Sequence, residues 1–280
     1  MSNFLSGLYI VSTPIGNLED ITLRALKVLK FSDKILCEDT RRSLKLLNHY
    51  GIKKRLISYH KFNEKKIVST IIDFLKKGEK VSLISDAGTP ILSDPGLILI
   101  RECIKNKIKV FPIPGVSAIT TAMSISGFDE KYFFYGFLPK KIGELNKVVK
   151  ELNIYNLNTV FFVPALKINF YLKFLRKHFL NRKVFIAREM TKIHESFYRV
   201  DLRAFDGFPE KLKGELTVVL SKDNEKYTDS LKQLDEKKLK NEIKKYITKY
   251  SLKDVVKLIS EKNKLPKKKI YNLCLQLKKN

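Results

Sequence analysis

Three loops of unusual composition constrain the architecture that this chain can adopt. They span residues 12–18, 85–96 and 112–118, and each is rich in Gly, Pro, Ser, Thr and Asp. Each follows a short apolar run and precedes an amphipathic segment, which is typical of an α/β protein with mainly parallel strands. Ligands of open α/β sheets bind outside the carboxyl ends of the strands, so the three loops predict a single ligand site.

The pattern of apolar residues divides the chain into three predicted parts. Residues 1–127 alternate strands with helices, residues 128–222 have strands with fewer helices between them, and residues 223–280 form a basic helical extension. Predicted strands cover residues 8–12, 34–37, 55–58, 81–85, 109–112, 132–137, 159–163, 183–187, 194–200 and 215–221. Predicted helices cover residues 20–29 with Asp20 as the cap, 40–49, 63–77, 96–107, 117–126, 231–250, 252–262 and 266–277.

The net charge of the chain indicates which class of partner it can bind. The 280 residues carry 55 Lys plus Arg against 29 Asp plus Glu, a formal charge of +26, and residues 222–280 alone hold 18 Lys and 8 acidic residues. Such a chain attracts polyanions, so a nucleic acid is one interpretation. The other is compositional, because 45 of the 55 basic residues are Lys, which biased codon usage also produces. Charge alone therefore supports a nucleic-acid partner without establishing one.

Cysteines and apolar runs exclude several classes of protein. Cys37, Cys103 and Cys274 are odd in number and have no CxxC or CxH spacing, which argues against a disulfide framework and a zinc site. No apolar run approaches the ~18 residues of a membrane span, and the first residues do not resemble a signal peptide. We therefore expect no metal, no membrane association and a cytoplasmic location.

The loops also restrict the ligand. None contains the glycine-rich pattern of dinucleotide sites or the phosphate-cradling pattern of nucleotide triphosphate sites. Their backbone groups, together with Asp86, Thr89 and Ser117, suit a small polar ligand with an adenosine or amino-acid portion.

Several motifs resemble one family. They are Ser-Thr-Pro-Ile-Gly-Asn-Leu at residues 12–18 with Asp20, Cys-Glu-Asp-Thr-Arg at 37–41, the loop at 85–96, Pro-Gly-Val-Ser-Ala at 114–118 and Ala-Arg-Glu-Met-Thr-Lys at 187–192. In this order they are similar to the bacterial small-subunit ribosomal RNA (cytidine 2'-O-) methyltransferase I family, within the tetrapyrrole methylase superfamily. The basic helical tail resembles the C-terminal extension of that family.

The resemblance implies a fold and a cofactor. It implies two α/β subdomains with S-adenosylmethionine in the cleft between them, a homodimer, and 16S rRNA of the small ribosomal subunit as substrate. Carried over by motif, the cofactor-binding residues are Pro14, Asp86, Ala87, Thr89, Ser117 and Ala118, with Val163 and Met190 from the second subdomain.

Methyl transfer to a ribose hydroxyl requires positioning and benefits from a nearby base. Asp39 is the predicted base or orienting group, Arg41 the predicted RNA clamp, and Glu189 completes the predicted catalytic set. The predicted substrate-binding residues are Arg42, His60, Arg188 and Lys192. Two alternatives remain open: residues 38–42 as an acidic helix start with solvated arginines, and His60 as a loop histidine without a role.

One segment departs from the family pattern. Where that pattern reads roughly Tyr-Glu-Ser-x-His-Arg, residues 162–167 are Phe-Val-Pro-Ala-Leu-Lys, so a carboxylate and an imidazole are missing. Lys167 also cannot offer the bidentate fork of an Arg. The departure indicates one alternative function, a ribosome- or RNA-binding protein with weakened catalysis. The superfamily fold by itself allows another, a C-methyltransferase of tetrapyrroles.

Overall fold

Two five-stranded sheets organise the larger part of the molecule. The computed structural model describes residues 4–223, 239–247, 250–263 and 267–278. The chain separates into two compact units, residues 1–222 and 223–280, and both sheets belong to the first unit. This arrangement confirms the predicted fold class, two α/β sheets followed by C-terminal helices.

The first sheet is parallel throughout, in the order β3-β2-β4-β1-β5. Its strands are β1 (Gly7–Val11), β2 (Lys34–Cys37), β3 (Arg55–Ser58), β4 (Lys80–Leu83) and β5 (Val110–Ile113). The helices between them are α1 (Leu23–Phe31), α2 (Thr40–His49), α3 (Glu64–Lys76) and α4 (Leu97–Lys105). Neighbouring residues on one strand, such as Leu8 and Tyr9, are buried in different hydrophobic clusters, because helices cover both faces of the sheet.

The second sheet is mixed, as the closer succession of strands predicted. Its order is β6-β7-β10-β8-β9; β6 and β7 are parallel, and the other neighbours are antiparallel. The strands are β6 (Tyr132–Phe137), β7 (Asn158–Pro164), β8 (Lys183–Arg188), β9 (Ser196–Asp201) and β10 (Glu215–Leu220). Helix α5 (Ala118–Ser126) covers one face, and α6 (Ile142–Tyr155) and α7 (Ile168–His178) cover the other.

Differences from the sequence-based elements lie mainly in the helices. Asp20 does not cap α1; the Thr22 side chain accepts a hydrogen bond from Ala25 N–H at 3.0 Å and caps it instead. Residues 18–20 form a short 3-10 turn, and the cap of the helix therefore lies two residues further along the chain than predicted. Helices α6 and α7 are not among the predicted helices, although Leu145, Val148, Val149 and Leu152 of α6 have helical spacing and are buried.

The second unit consists of helices with their own apolar core. Residues 239–247 are helical (α8), followed by α9 (Leu252–Asn263) and α10 (Lys267–Lys278). Their buried side chains include Ile243, Val255, Ile259, Ile270 and Cys274. The predicted helix over 231–250 lies partly outside the described residues. Across the described ranges, we find no helix with the length and apolar character required to cross a bilayer.

Candidate functional site

The three loops meet at the carboxyl edge of the first sheet. Thr13 of the first loop and Gly88 of the second exchange backbone hydrogen bonds, with N···O distances of 2.9 and 3.0 Å. The Thr89 hydroxyl lies 3.0 Å from the Ser12 hydroxyl and donates to the Val116 carbonyl of the third loop at 3.1 Å. Hydrogen bonds therefore join all three loops into one edge, at the place where ligands of parallel sheets bind.

Two glycines allow this close approach. Gly88 has φ +77°, a conformation that favours glycine, and a Cβ there would lie 3.3 Å from Ile15 Cγ2. A Cβ on Gly115 would lie 2.8 Å from Ser12 Cβ, closer than carbon atoms pack. A side chain at either position would push the loops apart.

A first cavity, of about 410 Å³, is lined by the loops and by the second sheet. From the loops come five of the predicted cofactor-binding residues: Asp86, Ala87, Thr89, Ser117 and Ala118. From the second sheet come Phe137, residues 162–164 with the predicted Val163, and residues 214–217 of β10 and the turn before it. The walls are thus polar on the loop side and mainly apolar on the side of the second sheet.

A second cavity, of about 310 Å³, adjoins the first. The two share Ile15, Arg42, Asp86, Ala87 and Glu215. Residues that line the second cavity alone include Pro14, Leu18, Lys45 and Lys192. Pro14, predicted to bind cofactor, therefore lies beside the predicted substrate residues Arg42 and Lys192.

The charged side chains differ between the two cavities. Arg42 Nη1 lies 3.3 Å from Asp86 Oδ2, and Lys192 Nζ lies 2.9 Å from Glu215 Oε2. The first cavity has three carboxylates, those of Asp86, Asp94 and Glu215, against the guanidinium of Arg42. The second has two of these carboxylates against Arg42, Lys45 and Lys192. The first suits a cationic ligand and the second an anionic one.

Asp39 and Arg41 form an exposed pair at the start of α2. The Asp39 carboxylate accepts hydrogen bonds from the Arg41 backbone N–H at 2.9 Å and from its guanidinium at 2.9 and 3.2 Å. These bonds lower the pKa of Asp39 to about 2. Neither residue lines the two cavities, although the Asp39 N–H donates to Asp86 Oδ1 at 3.1 Å.

Residues 188–192 form the other charged cluster. Arg188 donates to the Lys213 carbonyl at 2.8 Å, and Lys192 Nζ donates to Glu189 Oε1 at 3.1 Å. Burial disfavours the charged form of Glu189, but hydrogen bonds from the Glu215 N–H and from Lys192 lower its pKa below the usual range. Of this cluster, Lys192 alone lines one of the two cavities.

Met190 and His60 lie away from both cavity walls. Met190 is buried in the cluster that packs α5 on the second sheet. The His60 N–H donates to Asn63 Oδ1 at 2.8 Å, within the turn before α3. The predicted roles of these two residues in binding remain predictions.

Sequence reasoning missed several cavity residues. Asp94 lies in the loop at residues 85–96, whose composition predicts a ligand site, but no local pattern indicates a role for Asp94 itself. Burial, with Glu38 and Asp86 nearby, raises the pKa of Asp94 to about 6. Residues 214–217 carry no local signal, since their place in the cavity depends on the pairing of β10 with β7 and β8.

Comparisons with known proteins agree with this arrangement. The family model of Tetrapyrrole (Corrin/Porphyrin) Methylases matches residues 7–206. The chain is 48% identical over 217 residues to the ribosomal RNA small subunit methyltransferase I of Thermotoga maritima, covering 76% of this chain and 97% of the relative. It is 36% identical over 273 residues to the protein of the same name from Halalkalibacterium halodurans, covering 96% and 94%.

Solved structures show the same fold at low sequence identity. The methyltransferase CobJ superposes with a TM-score of 0.60 at 16% identity, covering 78% of this chain and 94% of that structure. A uroporphyrin-III C-methyl transferase from Thermus thermophilus, complexed with S-adenyl homocysteine, superposes with a TM-score of 0.55 at 15% identity, covering 77% and 97%.

Proposed function

The chain belongs to the ribosomal RNA small subunit methyltransferase I family, within the tetrapyrrole (corrin/porphyrin) methylases, and from this premise we propose that it methylates RNA of the small ribosomal subunit with S-adenosylmethionine. The observation that carries the proposal is the pair of adjoining cavities with opposite charge preference. The resemblance of the motifs adds a cytidine 2'-hydroxyl as the acceptor. A ribosomal substrate also fits a cytoplasmic location.

The first cavity fits S-adenosylmethionine. Its volume of about 410 Å³ lies within the range of small-molecule sites, and Gly88 leaves open a cradle that a Cβ would narrow. Three carboxylates on its walls suit a ligand with a sulfonium and an ammonium group. Ala87, Thr89, Ser117, Ala118 and Val163 are the residues that would hold it. When bound, S-adenosylmethionine supplies an electrophilic methyl group.

The chain's own residues then position the acceptor. Arg42, Lys45 and Lys192 give the second cavity cations that suit RNA phosphates. Because the cavities share the wall formed by Ile15, Asp86 and Ala87, a nucleotide in the second would lie next to a ligand in the first. Positioning of this kind supplies much of the rate enhancement of group transfer.

The direct test is methyl transfer by the purified full-length protein. The protein is incubated with labelled S-adenosylmethionine and small subunits that lack the modification, and the label is mapped to a nucleotide and an atom. We expect label on the 2'-oxygen of a cytidine in the small-subunit RNA. Label on a base carbon or nitrogen, or no label in the RNA, contradicts the proposal.

The basic extension is proposed to hold RNA. Lys244, Lys245, Lys253 and Lys257 are exposed on its helices. Replacing the four by Gln should weaken binding to small-subunit RNA and reduce the slope of affinity against salt by about one per lost phosphate contact. Deletion of residues 223–280 should have the larger effect of the same kind. If the RNA affinity and its salt dependence are unchanged in both variants, the extension does not contribute to RNA binding.

The departure at residues 162–167 is the specific observation in favour of weakened catalysis. Val163 is buried on the wall of the first cavity, where the family pattern has a carboxylate. The carboxylates of Asp86, Asp94 and Glu215 on the walls of this cavity still favour a cationic ligand, so we propose that the protein is an active enzyme. The double variant Val163→Glu, Lys167→Arg should then transfer methyl groups at nearly the wild-type rate. A rate higher by several orders of magnitude would instead indicate that catalysis is weakened in the wild-type protein.

A homodimer is the remaining part of the proposal. It rests on the family resemblance. Sedimentation or light scattering of the purified protein measures the mass directly, and the mass of one chain, 32.5 kDa, at micromolar concentration would contradict it.

A further inference from the structure

Phe62 has the most exposed aromatic side chain among the residues that the structure describes. It is 93% exposed, on the turn between β3 and α3. Single exposed apolar side chains are common on protein surfaces, so exposure by itself indicates no function. The conformation of the turn, its place in the fold and the charges beside it decide whether the ring belongs to a binding surface.

Hydrogen bonds hold this turn in one conformation. The Asn63 side chain accepts from the His60 N–H at 2.8 Å and donates to the Ser58 carbonyl at 3.0 Å. The His60 carbonyl accepts the N–H groups of Asn63 and Glu64, both at 3.0 Å. The Phe62 N–H donates to His60 Nδ1 at 3.3 Å. An ordered backbone therefore presents the exposed ring, and binding a ligand there would cost little conformational entropy.

The turn lies at the same edge of the first sheet as the two cavities. Strands β2 and β3 are parallel neighbours, with Cys37 opposite Ser58 at their carboxyl ends. The segments that follow the two strands also meet, since the Tyr59 N–H donates to the Cys37 carbonyl at 2.8 Å. The segment after β2 leads into α2, which contacts β3 and contributes Arg42 and Lys45 to the second cavity. The turn therefore lies beside the elements that border the proposed RNA site.

Exposed lysines lie on both sides of the ring along the chain. Lys61 precedes it, and Lys65 and Lys66 follow it in the first turn of α3. Residues 59–66 contain one acidic residue, Glu64, whose carboxylate accepts the Gly96 N–H at 3.4 Å. Protein–protein interfaces are depleted in lysine. An aromatic ring among lysines instead suits a polyanion with flat apolar groups, which describes a single-stranded nucleic acid.

We propose that Phe62 stacks on an unpaired base of the substrate RNA, outside the second cavity, and that the neighbouring lysines contact its phosphates. The inference rests on the proposed function and adds how the RNA beyond the acceptor nucleotide is held. Every base has an aromatic face, so stacking on Phe62 contributes affinity without selecting a sequence. It requires a base that is free of a duplex, and it therefore favours single-stranded RNA.

The first experiment detects the stacking directly. The chain contains no tryptophan, so Phe62→Trp places a single indole fluorophore at the proposed site. Single-stranded RNA of small-subunit sequence should quench its fluorescence, because a base lies against the indole. Ile154→Trp is the control, since Ile154 is an exposed apolar residue of α6 that lines neither cavity, and its fluorescence should not respond. Heparin, a polyanion without bases, should quench neither protein.

The second experiment measures RNA affinity and its salt dependence. Phe62→Ala should bind the same RNA about tenfold more weakly than wild type, with an unchanged salt slope, while Phe62→Tyr and Ile154→Ala stay within about twofold. The triple variant Lys61→Gln, Lys65→Gln, Lys66→Gln should instead reduce the slope by about 0.7 for each lost phosphate contact. Because the ring is 93% exposed, Phe62→Ala should unfold in urea at the same concentration as wild type.

Several outcomes would overturn the proposal. Unchanged RNA affinity in Phe62→Ala does so, and so does unquenched fluorescence of Phe62→Trp bound to RNA. If Phe62→Ala weakens binding to assembled small subunits but not to the naked RNA, the ring contacts a ribosomal protein instead. If the variant lowers the mass of the protein in sedimentation, the ring belongs to a contact between two copies of the chain. Failure of the proposed function looks different, since wild type would then transfer no methyl group to small-subunit RNA, whether or not RNA quenches Phe62→Trp.

Discussion

The two adjoining cavities share one wall and differ in what surrounds it. The first is closed by the apolar residues of the second sheet and carries Asp94, whereas the second is bordered by Lys45 and Lys192. Burial against apolar walls raises the pKa of a carboxyl group, and lysines at the border of a cavity attract phosphate groups. The difference shows that a few side chains beyond a common wall can make one cavity suit a cationic ligand and its neighbour an anionic ligand.

The largest expected effect comes from filling the first cavity. Gly88→Val places a branched side chain 3.3 Å from Ile15 Cγ2 at φ +77° and should weaken S-adenosylhomocysteine binding at least about tenfold, roughly 1.4 kcal/mol. Gly78→Val is the matched control, because its φ of +84° imposes similar backbone strain with nothing within 4 Å. Calorimetry on both folded variants measures the difference. Equal affinity in the two would mean that the cofactor lies elsewhere.

A second prediction tests whether the Asp94 carboxyl is desolvated. Its pKa in the folded protein, about 6, exceeds the ordinary value of 3.8, so the folded state binds the proton more tightly than the unfolded state. Its contribution to stability is therefore greatest below about pH 4 and is lost as pH rises through 6. Between pH 4 and pH 7, wild type should lose about 1 kcal/mol relative to Asp94→Asn, after allowance for solvent screening. Urea unfolding at several pH values measures the free energy of unfolding of both proteins. If the two free energies change with pH in parallel, the Asp94 carboxyl is an ordinary exposed group.

A third prediction concerns the basic rim of the second cavity. Lys45→Glu should weaken binding to small-subunit RNA about fivefold and flatten its salt dependence, while cofactor affinity stays the same. Lys27→Glu, an exposed lysine of α1 that lines neither cavity, is the control with the same change of charge. Filter binding at several salt concentrations reports the slopes. Equal losses of RNA affinity in the two variants would mean that Lys45 acts only through the general surface charge of the protein.

The smallest expected effect is at Arg41. Its side chain is 87% exposed and lines neither cavity, so Arg41→Ala should leave the affinity for S-adenosylhomocysteine unchanged. If Arg41 clamps RNA as predicted, the same variant should bind small-subunit RNA about threefold more weakly. A change in cofactor affinity would mean that the start of α2 shapes the first cavity.

Much of this architecture could be predicted from local sequence. The three loops, the parallel strands of the first sheet and the mixed second sheet follow from composition and spacing, because turn residues and apolar periodicity act over short distances. Five residues of the first cavity could be predicted for the same reason, because they lie in loops that directly follow strands: Asp86, Ala87, Thr89, Ser117 and Ala118.

Sequence by itself therefore determined where strands end and which loops carry the chemistry. Tertiary structure alone decided that residues 214–217 close the first cavity, since their place follows from strand pairing between distant segments. It also decided the state of the Asp94 carboxyl. Asp39 is held ionised by its local contact with Arg41, whereas burial and the neighbouring Glu38, which follows β2, raise the pKa of Asp94. Burial and neighbouring charge depend on the packed fold, and no local pattern encodes them.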